Sequence, residues 1–139
     1  MRDLDAKVEG VALIVDEIEK ISLADIAGAR ERIEGRLRKV LEDLNFAVDE
    51  NRILAECAMY SDKIAIDEEL VRLRSHFDAY VKITSSGEPA GRKLDFLMQE
   101  MNREINTIGS KCQNSAAAHL VVDVKCEFEK IREQIQNIE

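Results

Sequence analysis

The chain has 139 residues, the size of one ordinary domain, and its 45 % hydrophobic and 35 % charged residues are enough for a packed core, which excludes global disorder. One Pro, six Gly, no Trp and 4 % aromatics exclude a turn-rich sheet protein, and they favour long helices built from Glu, Ala, Leu, Ile, Lys and Arg. A formal net charge of −8 excludes a broadly basic, nonspecific nucleic-acid surface, and the longest apolar run, Val11 to Val15, is too short to cross a membrane.

The predicted elements are all helical. Leu4, Val8, Val11, Val15 and Ile18 step by four, three, four and three, the seam of an amphipathic helix packed on another helix. Ser22 and Asp25 offer a break and restart. A second helix is expected through Ile26, Ile33, Leu37, Val40, Leu41 and Leu44, with Asn45 ending it. Residues 1–46 therefore read as a helical hairpin arm and residues 47–139 as the motif-bearing helical domain. Asp49 is the expected N-cap of a third helix with Ile53, Leu54, Cys57 and Ile64 inward.

A fourth helix starts at Asp67, with Leu70, Leu73, Phe77, Tyr80 and Val81 inward. Residues 84–89 form the clearest loop. A fifth helix places Leu94, Leu97, Met98, Met101, Ile105 and Ile108 on one stripe and stops at Gly109. Asn114 or Ser115 caps a last helix carrying Leu120, Val124, Phe128, Ile131, Ile135 and Ile138. The expected architecture is all-α, with elongated hairpins packed into a bundle of about five or six helices. The amino terminus is polar and acidic, unlike a secretory signal. Cys57, Cys112 and Cys126 form no C-x-x-C pair, which favours a reducing compartment and small buried hydrophobes over disulfides or zinc. Together these features indicate a cytoplasmic protein.

Two stretches are more polar than a plain bundle needs. In the fourth helix Glu69, Arg72 and His76 share one stripe beside the apolar face. His76 next to a carboxylate is a candidate proton-transfer group for phosphodiester cleavage, with Glu69 and Glu100 as candidate catalytic carboxylates. The plainer reading is favourable acidic first-turn chemistry with an ion pair one turn on. In the fifth helix Arg92, Phe96, Gln99 and Arg103 project together, away from the core. An exposed Phe between arginines suits either a base-stacking site beside phosphate-binding groups or a subunit interface. Glu100 and Glu104, four apart, are candidate oxygen ligands for Mg²⁺ or Mn²⁺, though such pairs are common on solvated helices. The sequence contains no P-loop, no G-x-G-x-x-G, no H-E-x-x-H, no G-x-S-x-G and no E-x-x-H.

The strings Ile66-Asp67-Glu68-Glu69-Leu70-Val71-Arg72-Leu73-Arg74-Ser75-His76 and Gly91-Arg92-Lys93-Leu94-Asp95-Phe96-Leu97 are followed by Gln99-Glu100, Asn102-Arg103-Glu104, Asn106-Thr107-Ile108-Gly109-Ser110-Lys111 and the terminal residues 131–139. Together they resemble the carboxy-terminal region of the YicC-like (YicC/YloC) endoribonuclease family, in motif from about Asp49 onward and in helical character before that. The resemblance implies a bacterial cytoplasmic protein that cleaves RNA with a divalent metal ion (Mg or Mn), assembles as a homo-oligomer, a hexamer in the full-length family, and carries an amino-terminal domain absent here. Neither DNA nor membrane is an expected partner. On these motifs Arg72, Arg92, Lys93, Phe96, Arg103 and Lys111 are candidate RNA contacts, and Glu100 and Glu104 candidate metal ligands. Ala116 departs from the family pattern, which places an acidic residue there. The isolated chain is expected to be inactive. The competing expectation is a purely structural oligomerisation module.

Overall fold

The computed structural model describes residues 2–87, 90–112 and 114–138. Five helices occupy them: α1 (Arg2–Asp43), α2 (Glu50–Ile64), α3 (Asp67–Ser85), α4 (Gly91–Lys111) and α5 (Ser115–Ile138). No strand occurs among the described residues. The all-α expectation holds.

The amino-terminal half of α1 joins α3, α4 and α5 in a four-helix bundle, with α1 against α3 and α5, and α4 against the same two. Neighbours run antiparallel. Thr84 near the end of α3 reaches Asp5 near the start of α1 at 3.4 Å, and Asn114 before α5 reaches Asp25 far along α1 at 3.3 Å. The core is one cluster in which Leu4, Val8, Val11, Val15 and Ile18 meet Leu73, Tyr80, Ile105, Ile108, Val124 and Ile131. Each fully buried aliphatic side chain here contributes about 1.5–3 kcal/mol. Arg74 braces α3 to α1 from outside, donating to Glu19 at 3.0 Å and to Asp16 at 2.9 Å.

Of the stretch expected to form a two-helix arm, residues 1–46, the described residues 2–46 do not form two helices. α1 runs 42 residues without a break. Ser22 is buried on the seam that continues from Ile18 to Ala29, and the flanking Leu23, Ala24, Ile26 and Ala27 favour helix. A cap signal needs a chain that departs from the helix, and nothing here makes it depart. The hairpin is formed instead by the carboxy-terminal half of α1 and α2, which pack on each other. The arm and the bundle therefore share α1, and no boundary at residue 46 separates them.

The turn between α1 and α2 is specified locally. Asn45 has φ 56°, the left-handed conformation Asn tolerates. The Phe46 N–H bonds Leu41 O at 2.9 Å and the Asn45 N–H bonds Glu42 O at 3.1 Å, a Schellman stop. Asp49 then accepts from the Arg52 N–H at 3.3 Å, the expected N-cap. Arg38 of α1 ties the hairpin by donating to Glu50 of α2 and to Glu34 of its own helix.

Three further expectations are corrected. Leu54 and Val81 are half exposed rather than inward. Each sits at the edge of its helix's apolar stripe, where composition does not show how far a neighbour reaches. Gly109 does not stop α4, which continues to Lys111. An added Cβ there would lie 3.0 Å from Val121 Cγ1, so the glycine permits close approach of α4 and α5. Cys57 is buried as expected, but Cys112 is intermediate and Cys126 exposed; all three are free thiols. Of the predicted 84–89 loop, residues 88 and 89 lie outside the described residues.

Candidate functional site

The antiparallel pairing of α3 and α4 sets the first turn of α3 beside the last turn of α4. Asp67, Glu68 and Glu69 are acidic where the helix amino terminus favours negative charge, and Lys111 is basic where a carboxy terminus favours positive charge. Lys111 Nζ donates to Glu69 Oε1 at 2.7 Å and to the Ala65 carbonyl at 3.1 Å. Two turns inward along α4, Arg72 Nε donates to Glu104 Oε1 at 2.8 Å. Arg72 also lies 3.9 Å from Glu69 and 3.8 Å from Glu68.

Glu69 and Glu104 are both buried, while Arg72 keeps half of its side chain in solvent. Burial pushes the Glu69 carboxyl up, but the Lys111 hydrogen bond, a backbone hydrogen bond and the nearby Lys111 and Arg72 charges outweigh it and hold the group below its ordinary value. Glu69 Oε2 is buried without a hydrogen-bond partner. Sequence periodicity placed Glu69 beside the apolar face; it did not reveal that the carboxylate enters the α3–α4 interface.

The remaining candidates lie elsewhere on α4. Arg92, Lys93, Phe96 and Arg103 are exposed, Phe96 at 59 %. Arg92 and Lys93 stand in the first helical turn, where Ala90 supplies no side-chain cap and no acidic residue is present. Cations there oppose the helix dipole, and the unsatisfied N–H groups add to a positive field. This placement makes the start of α4 attractive to an anion. Arg103 lies 3.8 Å from Glu100. From Arg92 to Glu104 the helix rises about 18 Å, so the candidates form two clusters rather than one cleft. His76, half-buried on the Glu69–Arg72 stripe, stands outside the ion-pair network.

The two candidate metal ligands take different partners, Glu104 pairing with Arg72 and Glu100 with Arg103. Among the described residues no group of three or more His, Cys, Asp and Glu side chains could hold a metal ion. The described donor set does not by itself fit a divalent ion. Ala116 is exposed in the first turn of α5, its N–H donating at 2.7 Å to Asn114 Oδ1, which caps that helix. Two concave features had no signal in the sequence. One is a cavity of about 190 Å³ bordered by Ser22, Asp25, Arg32, Tyr60, Lys111 and Asn114. The other is an apolar groove of about 590 Å³ along the arm. No described helix is long and apolar enough to cross a membrane.

A four-helix bundle with a projecting arm, with its motifs along α3 and α4, defines an all-α helical domain. The family described as endoribonuclease YicC-like, C-terminal, matches residues 18–139, and the chain belongs to it. It is 49 % identical over 125 residues to a protein of Clostridioides difficile (strain 630) named "Probable endoribonuclease YicC", covering 90 % of this chain and 42 % of that protein. It is 35 % identical over 136 residues to a protein of the same name from Haemophilus influenzae, covering 98 % of this chain and 46 % of that protein. The chain thus spans less than half the length of these relatives.

Proposed function

We propose that this chain is the helical carboxy-terminal part of an endoribonuclease, contributing an RNA-contacting face and an assembly surface to a longer protein. The observation that carries this reading is the outer face of α4. An exposed Phe96 stands between the exposed Arg92 and Arg103, with Lys93 beside Arg92 at an uncapped helix start. An aromatic ring stacks on any base and the flanking cations meet phosphates, a sequence-tolerant mode suited to single-stranded RNA. The net charge of −8 leaves such binding to local basic patches, of which this face is the one that carries an aromatic ring between its cations. RNA-cleaving activity comes from the names of the two relatives.

Within this reading Arg72 and Lys111 bind RNA only through the N–H groups their carboxylate partners leave free. Glu69, ionised and paired with Lys111, suits positioning more than proton transfer. His76 remains the proposed proton-transfer group and Glu100, partly open to solvent, the proposed catalytic carboxylate. The divalent ion is proposed to take its further ligands from outside this chain. A second reading, a structural oligomerisation module, is favoured by one observation: Arg72 pairs with Glu104 and Lys111 with Glu69 within the fold.

Cleavage of a labelled structured RNA in Mn²⁺ separates the two. The chain alone is compared with a version joined to the family's amino-terminal domain. The joined protein is expected to cleave, and His76→Ala and Phe96→Ala are expected to slow it without changing its assembly. Undiminished cleavage by both variants would overturn the proposed roles. Absence of cleavage by the joined protein would favour the module.

A further inference from the structure

The arm leaves an apolar side open. Its groove lies between the end of α1, the turn and the start of α2, lined by Ile33, Leu37, Val40, Leu41, Phe46 and Ile53. Val40 is 54 % exposed, Leu44 59 % and Phe46 64 %, so solvent meets a continuous apolar strip at the arm's end. Two helices bury little between themselves: among arm residues only Ala29, Ile53 and Cys57 are buried hydrophobics. A strip of this kind marks an interface.

Charge along the arm indicates what covers it. Residues 30–39 carry five cations (Arg30, Arg32, Arg36, Arg38, Lys39) and two anions (Glu31, Glu34). Residues 42–50 carry four anions (Glu42, Asp43, Asp49, Glu50) and no cation. Arg38 and Glu50 already meet within the arm, which leaves Arg30, Arg36 and Lys39 facing solvent on the shaft and Glu42, Asp43 and Asp49 at the tip.

We propose that the arm pairs with the same arm of a second copy, antiparallel, about a twofold axis near Val40. That operation lays each acidic tip on the other copy's basic shaft. It also sets each Phe46 against the other's Ile33 and Leu37. The pattern is self-complementary, as an isologous interface requires. The overlap of residues 31–50, with the first turns of α2, provides about the 20–30 residues per side of a specific interface. This deepens the assembly role proposed above and does not depend on RNA cleavage.

The test is the mass of the chain by size-exclusion chromatography with light scattering across a concentration series at low salt. Wild type is expected to reach twice the 15.8 kDa of one chain. Arg36→Glu/Lys39→Glu and Glu42→Lys/Asp43→Lys change only exposed side chains and should keep the wild-type helical circular dichroism. Each is expected to associate at least about tenfold more weakly alone, and an equimolar mixture to regain the doubled mass. Phe46→Asp is expected to stay at single mass in any mixture. A wild type that remains at 15.8 kDa throughout overturns both the pairing and the assembly role of this chain. A wild type that doubles, with variants that double equally or a mixture that does not recover, overturns the arm surface alone.

Discussion

Arg72 and Glu104, 32 positions apart, meet at 2.8 Å across the α3–α4 interface, and the pair is asymmetric: the guanidinium is half in solvent, the carboxylate is almost wholly buried. Removing the cation strands a buried charge, whereas removing both leaves an apolar gap. Arg72→Ala is therefore expected to lower the melting temperature, and Arg72→Ala/Glu104→Leu to regain most of the loss. Thermal melts followed by circular dichroism read this directly; a double variant as unstable as the single one would refute the asymmetry.

The neighbouring pair carries a pH dependence. Glu69 is held below its ordinary value near 4.5 because the bond and charge of Lys111 outweigh burial. The folded chain thus binds the proton less readily than the unfolded one. Its contribution to stability is fully present above about pH 4.5 and is lost as pH falls through the lower folded value. Glu69→Gln should flatten the fall in melting temperature between neutral and acidic pH, though not abolish it, since Arg38 lowers Glu50 in the same direction. Lys111→Met should cost about 2 kcal/mol at neutral pH, measurable by urea unfolding.

Tyr80 is fully buried, and its hydroxyl has no hydrogen-bond partner among the described residues. Burial, assisted by the nearby charge of Asp5, pushes the phenol above its ordinary range, so it stays neutral. Tyr80→Phe keeps the ring and removes the unsatisfied group. We expect it to stabilise the chain by about 1 kcal/mol, a rise of roughly 3–5 °C in Tm. A fall in Tm would mean that the hydroxyl has a partner.

The seam from Leu4 to Ile18 and the stripe from Leu94 to Ile108 were legible because burial at helical spacing is written in every turn. Asp49 was legible because capping is a local property. Ser22 misled because the same residue type caps one helix and sits quietly inside another; only the layer of the bundle it enters decides. Gly109 misled in the same way, its role set by Val121 of the next helix. The Glu69–Lys111 and Arg72–Glu104 pairs join residues 42 and 32 positions apart, and single-sequence periodicity carries no information at that range. Of the candidate site, the outward Arg92–Phe96–Arg103 face was legible; the entry of Glu69 and Glu104 into an interface was not.

That outward face separates function from stability. Phe96 and Arg103 are mostly exposed, Phe96 at 59 % and Arg103 with 74 % of its side chain in solvent. In the joined protein, Phe96→Ala is expected to weaken single-stranded RNA binding by roughly 5- to 160-fold, the range of about 1–3 kcal/mol for a lost stacking platform. Arg103→Ala should weaken it less and reduce its salt dependence. Neither should move Tm by more than about 2 °C. Fluorescence anisotropy at two salt concentrations, with parallel melts, distinguishes these outcomes from a loss of fold.

Because one unbroken helix serves both bundle and arm, α1 is a lever. Its portion beyond Ser22 extends for about 30 Å, so a tilt of 10° where it leaves the bundle sweeps the tip through about 5 Å. Anything that re-seats Ile18 and Ser22 against α3 and α5 is thereby magnified at Phe46, and a force applied at the arm's end returns along the same rod to the bundle core.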